Sequence, residues 1–120
     1  MKVFLSCSLI VLFFLNGCAP VVANTPKYYW GNYSQALYKN KKDHTPESYQ
    51  NYKNALAKIV EISKAGVFLV PPGIYSEYGF ILAQEGKLDE AKVYFALEKE
   101  KYPESTIFVD RLMKATGGSL

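Results

Sequence analysis

Two apolar stripes separated by a two-residue turn limit what this chain can fold into more than any other feature of the sequence. In each stripe the apolar residues recur every three or four positions, which is the spacing of one face of an α-helix. The first stripe contains Tyr75, Tyr78 and Leu82, and the second contains Leu88, Ala91, Phe95 and Tyr102. Gly86 and Lys87 form the turn, and Pro103 ends the second stripe. Because helices joined by so short a turn lie antiparallel, the sequence predicts an αα-hairpin.

The hairpin resembles a tetratricopeptide repeat, a pair of helices about 34 residues long. The matching positions are the large aromatic residue, the small residue at the helix crossing, the packed alanine, the second aromatic residue and the terminal proline: Tyr75, Gly79, Ala91, Phe95 and Pro103. Tyr78 and Glu98 depart from the repeat, where leucine and a small residue are usual. Since one repeat cannot bury its own apolar face, we expect further helices on both sides.

The segment before the hairpin predicts two helices. Trp30, Tyr33 and Leu37 share one helix face, and the polar residues 40–44 interrupt it. Residues 45–47, Thr-Pro-Glu, then begin the second helix. Threonine is a good N-cap, proline suits the first helical position, and glutamate is favoured at the positive end of the helix dipole.

The remaining segments complete a predicted domain over residues 28–116. Gly66 ends the second helix, and residues 67–70 are predicted to be a buried connector, because a lone strand has no partner. After the hairpin, Ser105 is the expected cap of a closing helix with apolar residues Ile107, Phe108, Leu112 and Ala115. The predicted fold class is therefore all-α, with tetratricopeptide-like antiparallel helical hairpins and a C-terminal capping helix.

The N-terminus predicts export and lipid attachment. A short positive head precedes an apolar run over residues 3–15, which is typical of a signal peptide and shorter than the roughly 20 residues that span a bilayer. Leu15-Asn16-Gly17-Cys18 resembles a lipobox, in which the cysteine thiol takes a diacylglyceryl group. We therefore expect cleavage of residues 1–17, lipidation of Cys18, and a tether over residues 18–27. An ordinary signal peptide with an incidental cysteine is the alternative.

The composition argues against catalysis. The formal net charge is +3 and the charges are dispersed, so nothing calls for nucleic acid. His44 is the only histidine, and Cys7 and Cys18 are the only cysteines, so no metal site is expected. Glu77 and Glu85 fall near the same side of a helix, where solvated surface explains them better than an acid–base pair. The sequence predicts no enzyme activity, no cofactor and no small-molecule substrate.

Aromatic residues are concentrated just after the predicted tether. Five of them fall within eleven positions, more than one short helix can bury on one face: Tyr28, Tyr29, Trp30, Tyr33 and Tyr38. Because tyrosine and tryptophan are enriched at protein interfaces, they form a candidate partner-binding surface, although plain packing explains them equally well. A second candidate consists of Val67, Phe68, Leu69 and Val70, where packing is the favoured explanation.

Four short blocks of sequence carry a family resemblance. They are Tyr29-Trp30-Gly31-Asn32-Tyr33, Val70-Pro71-Pro72-Gly73, Glu77-Tyr78-Gly79 and Tyr102-Pro103-Glu104-Ser105. Over residues 28–115 the chain resembles a DUF4810-like family of small bacterial outer-membrane lipoproteins with a domain of unknown function. Members are often encoded beside a lipoprotein similar to the curli-secretion pore protein and beside a further small lipoprotein. The resemblance implies a role in an envelope assembly of several lipoproteins.

These observations predict a non-catalytic adaptor that binds an envelope protein, such as another lipoprotein, and is held to the membrane through its lipid. Ala19 stands where an aspartate would favour retention in the inner membrane, so we expect the outer membrane, with the domain facing the periplasm. The alternative is a cell-wall-directed factor that binds peptidoglycan or assists a cell-wall enzyme.

Overall fold

The computed structural model describes residues 26–117, and the predicted all-α class is confirmed there. The described part contains five α-helices. They are α1 (Tyr33–Asp43), α2 (Pro46–Lys64), α3 (Ile74–Gln84), α4 (Leu88–Lys101) and α5 (Thr106–Ala115), with a 3-10 turn (Pro103–Ser105) before α5. The predicted signal peptide, the lipobox with Cys18 and most of the predicted tether lie outside the described residues. Within residues 26–117, no helix combines the length and the apolar character needed to cross a bilayer.

The start of α2 follows from its first residues. Thr45 has an extended backbone, and its hydroxyl accepts a hydrogen bond from the Ser48 backbone N–H at 3.1 Å. The Ser48 hydroxyl accepts in return from the Thr45 N–H at 3.1 Å, which completes a capping box. The sequence predicts Thr45 as the N-cap and Pro46 at the first helical position, and both are found there. The sequence does not predict the hydrogen bond to the Ser48 hydroxyl, because Glu or Gln usually occupies the third helical position of a capping box.

The first helix differs from the prediction at both ends. Trp30 was placed on its apolar face, but α1 begins only at Tyr33. Gly31, with a φ of +50°, turns the chain between the two residues. The polar residues 40–44 do not interrupt the helix before Asp43, because lysines in the last turn complement the negative end of the helix dipole. The left-handed conformation of His44, with a φ of +50°, ends it instead.

Two clusters of buried residues form the core. The first joins α1, α2, the connector and α3, with Leu56 and Ile59 among its least exposed members. The second joins α3, α4 and α5 through Leu82, Ala91, Phe95 and Val109. Tyr78 and Tyr94 border both clusters, and their rings meet edge to face with centroids 4.8 Å apart. This aromatic pair gives Tyr78, where the repeat pattern expects leucine, a packing role between the two clusters.

The closing helix α5 packs on the core through Val109, and the predicted core residues Ile107 and Phe108 are exposed. Val109 is fully buried, whereas Ile107 is 70% exposed and Phe108 is 58% exposed. Ser105 occupies the predicted N-cap position, but its side chain makes no capping hydrogen bond, because its hydroxyl donates to the Tyr102 carbonyl at 2.7 Å. Ser105 belongs to the 3-10 turn and has helical φ and ψ, whereas a capping side chain requires an extended backbone.

The prediction of a buried connector over residues 67–70 is also wrong in part. Val70 is 7% exposed and Phe68 is half-buried, but Val67 is 76% exposed and Leu69 is 52% exposed. The segment also has a partner, because Leu69 forms an isolated parallel β-bridge with Tyr28. The argument that a lone strand has no partner overlooked the extended residues that precede α1.

We expect Gly79→Leu to destabilise the domain by about 1–3 kcal/mol or more. A Cβ atom at Gly79 would lie 3.0 Å from Phe95 Cε1 and 3.2 Å from the Ala91 carbonyl oxygen. The substitution therefore overpacks the α3–α4 contact, although leucine is a better helix former than glycine. Chemical denaturation of the variant and the parent measures the difference in unfolding free energy.

Two further variants separate packing from helix propensity. Ala96→Gly, at an exposed position of α4, should cost only the propensity difference of about 1 kcal/mol. The double variant Gly79→Leu/Phe95→Leu should lose less unfolding free energy than the sum of the two single variants. The smaller side chain at residue 95 partly relieves the overlap with the new leucine. An increase in stability for Gly79→Leu alone would contradict the packing assigned to Gly79.

Candidate functional site

The two candidate partner-binding segments meet in the structure. The Leu69 N–H donates a hydrogen bond to the Lys27 carbonyl at 2.9 Å, next to the β-bridge between Tyr28 and Leu69. The rings of Tyr29 and Phe68 also pack together, with centroids 6.0 Å apart. Lys27, which was placed in the tether, is thereby held to the domain. Segments about forty positions apart in the sequence therefore form one surface.

Three side chains of this surface remain largely exposed. They are Trp30, Val67 and Leu69, with exposed fractions of 45%, 76% and 52%. We call them the bridge patch. They lie on the two segments that the β-bridge joins, and the Trp30 ring packs against Tyr33 with centroids 5.5 Å apart. Because exposed apolar side chains on neighbouring segments are typical of interaction sites, this surface is the first candidate. The sequence pattern found the two segments and could not show that they are joined.

The other predicted partner-binding residues are mainly packed. Tyr28, Tyr29, Tyr33 and Phe68 are half-buried, and Val70 is buried. Tyr38 is 63% exposed on α1, with the Lys42 ammonium 5.9 Å from its ring centroid. The packing alternative thus describes most of the aromatic cluster, while exposure is retained by the bridge patch and Tyr38.

Tyr33 belongs to a polar network with Glu77 and Tyr52. Its hydroxyl donates to the Glu77 carboxylate at 2.8 Å, and the Tyr52 hydroxyl donates to the same carboxylate in a short hydrogen bond. Burial, followed by the hydrogen bond to Glu77, raises the pKa of Tyr33 to about 12, and the same causes raise the pKa of Tyr52. Both phenols therefore keep their protons at neutral pH, and they link α1 and α2 to α3.

The two glutamates considered as an acid–base pair have different partners. Glu85 accepts hydrogen bonds from the Lys53 ammonium at 2.7 Å and also pairs with Lys87. The hydrogen bond from Lys53 is the main cause that lowers the pKa of Glu85. Glu77 is held instead by the two tyrosines. The two carboxylates thus have separate partners, and Glu77 differs from the predicted solvated surface because two tyrosine hydroxyls engage it.

An apolar groove lies between α3 and α5. Its volume is about 320 Å³, and it is lined by Gly73, Ser76, Glu77, Phe80, Phe108 and Leu112. Exposed Ile107 and Phe108 extend the apolar surface along α5. Glu77 is the one charged residue among the described lining residues, and its two tyrosine partners already engage it.

Glu98 fulfils a role that its position in the repeat pattern concealed. Its side chain is 1% exposed, and its carboxylate accepts hydrogen bonds from the backbone N–H groups of Gly73 at 2.7 Å and Ser76 at 3.3 Å. These groups stand at the start of α3, where the N-cap is Gly73 and offers no side-chain acceptor. A carboxylate from α4 thus satisfies N–H groups that have no partner within their own helix.

We expect Glu98 to make folding depend on pH. Burial raises the pKa of Glu98, and the hydrogen bonds from Gly73 and Ser76 oppose this increase without cancelling it. The folded state therefore holds the proton to a higher pH than the unfolded chain, whose glutamate pKa is about 4.3. The unfolding free energy should therefore fall as the pH rises from the unfolded-state pKa through the folded-state pKa of Glu98. The total loss is about 1.4 kcal/mol for each pH unit by which the two pKa values differ.

Urea denaturation of Glu98→Gln between mildly acidic and neutral pH measures this contribution. The variant should lack the decrease in stability, because its side chain does not titrate. Glu90→Gln, at an exposed position of the same helix, should retain the pH profile of the parent. Parallel profiles for the parent and Glu98→Gln would contradict the raised pKa.

Metal-binding side chains are dispersed in the described part of the chain. Among residues 26–117, no three His, Cys, Asp or Glu side chains come together as a metal site would require. His44 is exposed at the end of α1.

The fold and surfaces define a small all-α domain with exposed apolar side chains and several helix-lined grooves, among them one between α1 and α2 and one between α3 and α5. The chain belongs to the family described as Domain of unknown function (DUF4810), whose model matches residues 27–112. This finding confirms the family resemblance recognised in the sequence. No curated protein and no solved structure matches the chain.

Proposed function

We propose that this protein is a lipoprotein of the bacterial outer membrane that binds an envelope protein through the bridge patch and has no chemistry of its own. The observation that carries the proposal is the exposure of Trp30, Val67 and Leu69 in two segments joined by a β-bridge. Tryptophan and apolar side chains of this kind form the buried centres of protein interfaces.

The position of the bridge patch supports an envelope partner. Lys27 and Tyr28, which hold the bridge, lie nine and ten positions after the predicted lipid-bearing Cys18. Seven residues, 19–25, lie between Cys18 and the described domain, and the eight Cα–Cα steps from Cys18 to Pro26 span at most about 28 Å. A partner bound at the patch is therefore kept close to the membrane. The family resemblance directs the search first to other lipoproteins.

The arrangement of the titratable groups supports a non-catalytic role. Glu77, Glu85 and Glu98 each have defined partners in tyrosine hydroxyls, lysine ammonium groups or backbone N–H groups. Each of these contacts connects two helices or a helix and the connector. Structural contacts therefore account for Glu77 and Glu85, the pair weighed as an acid–base pair, and for Glu98 as well.

Lipid anchoring is tested by Cys18→Ser. The hydroxyl does not replace the thiol in diacylglyceryl transfer, so the variant should accumulate as an uncleaved precursor. Metabolic labelling with a radioactive fatty acid, followed by membrane fractionation, measures attachment and processing. Cys7→Ser, in the same predicted signal peptide, is the matched control and should be processed normally. Normal lipid labelling of Cys18→Ser would overturn the anchoring part of the proposal.

Partner binding is tested by the double variant Val67→Ser/Leu69→Ser. Both side chains are exposed, so the unfolding free energy should change by less than about 0.5 kcal/mol for each substitution. The yield of crosslinked envelope proteins should fall severalfold, because truncation of an interface hot spot costs about 2 kcal/mol or more. In-cell crosslinking followed by affinity purification and thermal melts of the purified variant provide the two measurements.

The matched control is Ile107→Ser/Phe108→Ser, which removes two comparably exposed apolar side chains from α5. This variant should retain the crosslinked partners. If it loses them while the bridge-patch variant keeps them, the partner binds along the α3–α5 groove and the assignment to the bridge patch is wrong. If the affinity-purified lipoprotein carries crosslinked cell-wall sacculi and no crosslinked protein, the adaptor proposal itself is wrong.

A further inference from the structure

The groove between α1 and α2 lies apart from the bridge patch. Its volume of about 570 Å³ exceeds the roughly 320 Å³ of the groove between α3 and α5. Among its lining residues, Ala36 of α1 and Ala55 of α2 are each only 5% exposed and form its floor. Larger side chains at these positions would fill the space between the helices. The depression is therefore a direct result of small residues where α1 crosses α2.

One end of this groove carries a fixed aromatic ring. A Cβ atom at Gly31 would lie 3.0 Å from the Tyr29 hydroxyl oxygen and 3.1 Å from two carbons of its ring. Glycine at this position, with a φ of +50°, is what allows the ring to lie against the backbone. The Phe68 ring also packs against Tyr29. Since contacts within the domain already hold the ring, a ligand would not have to order it.

The walls of the groove are polar and carry positive charge. They contain four side-chain amides and two lysines: Asn32, Gln35, Asn51, Asn54, Lys39 and Lys58. The Asn54 carbonyl oxygen accepts a hydrogen bond from the Gln50 amide at 2.9 Å, which leaves the Asn54 NH2 group as a donor toward a ligand. Within residues 26–117, the side chains that line the groove itself carry no carboxylate, whereas Asp43 and Glu47 line a smaller adjoining depression that shares Lys39 and Asn51 with it.

We infer that this groove binds a glycan that presents acetamido groups and carboxylates together, as peptidoglycan does through its N-acetylated sugars and the peptide stems attached to them. Side-chain amides both donate and accept hydrogen bonds, which matches hydroxyl and acetamido groups. The face of an aromatic ring packs against the apolar face of a sugar ring, and a lysine ammonium pairs with a carboxylate as a point charge. The volume falls within the range of about 300–1,000 Å³ that is typical of small-ligand sites.

The same lining disfavours a protein partner at this groove. Protein interfaces have an apolar centre from which charged residues are depleted. Here the floor is made of small residues, and Tyr29 is the one large aromatic residue among the described lining residues. The inference does not depend on protein binding at the bridge patch. A domain with both surfaces would hold an envelope protein close to the cell wall.

Isothermal titration calorimetry with three probes tests the inference. The protein is the chain from residue 19 onward, which contains every described core residue. The probes are soluble disaccharide–peptide fragments of peptidoglycan, neutral oligomers of N-acetylglucosamine, and hyaluronan oligomers, in which glucuronate alternates with N-acetylglucosamine. We expect saturable binding of the peptidoglycan fragments, at least about tenfold tighter than of the neutral oligomers, because the latter lack a carboxylate for the lysines.

The double variant Lys39→Gln/Lys58→Gln should weaken binding of the peptidoglycan fragments about tenfold or more. Both lysines are exposed, so the fold should be retained. The matched control is Lys92→Gln/Lys114→Gln, which makes the same change of charge at exposed positions of α4 and α5. It should bind like the parent. Asn51→Ala should also weaken binding, since it removes an amide from the wall at an exposed position.

The remaining outcomes also decide the question. Hyaluronan binding as tight as that of the peptidoglycan fragments would support a carboxylated amino-sugar site and identify an acidic polysaccharide as the source of the ligand. Equal affinity for the neutral oligomers would overturn the role given to the lysines. The absence of saturable binding by all three probes, or an equal loss in the lysine control variant, would overturn the inference.

Discussion

The hydrogen bonds between the Glu98 carboxylate and the first backbone N–H groups of α3 hold α4 against the start of α3. They also position the connector, to which the bridge patch belongs in part. Only Pro71 and Pro72 separate Gly73 from the connector (residues 67–70), so this contact restrains the position of the connector's end. The Tyr102 hydroxyl, just after α4, donates a short hydrogen bond to the Val70 carbonyl and holds the connector at a second point. Leu69 is then placed to pair with Tyr28. A buried carboxylate is costly unless it is hydrogen-bonded, and here its partners are groups that would otherwise lack acceptors.

Local patterns predicted the helices well, because the information lies within one or two turns. The spacing of apolar residues and the small residue Gly79 were sufficient for the α3–α4 hairpin, and Thr45 with Pro46 was sufficient for the start of α2. Glu98 was noticed only as a departure from the repeat, because its partner is the backbone at a position 25 residues earlier. A sequence pattern describes side chains and gives no sign of which backbone N–H groups lack an acceptor.

The surfaces were less predictable than the helices, because they depend on how elements pack. The number of aromatic residues after the predicted tether indicated an unusual segment, but it could not show that Tyr33 would be engaged by Glu77 while Trp30 stayed exposed. The amides of the α1–α2 groove gave no signal in the sequence. Each of them is an ordinary polar residue on a helix, and only the packing of α1 on α2 brings Gln35 and Asn51 to the same groove.

The β-bridge between Tyr28 and Leu69 also has a mechanical consequence. Any pulling force on the residues that precede Lys27 reaches the helices through this short extended segment, so the hydrogen bond from Leu69 to Lys27 is among the first contacts to carry the load. Helical cores deform little under such a load, because their side chains are closely packed. Tension would therefore peel the extended segment away from the connector before it disturbed the helices, and Tyr28 would be drawn away from Leu69. The patch that we assign to a partner is thus complete only while the chain before it is slack.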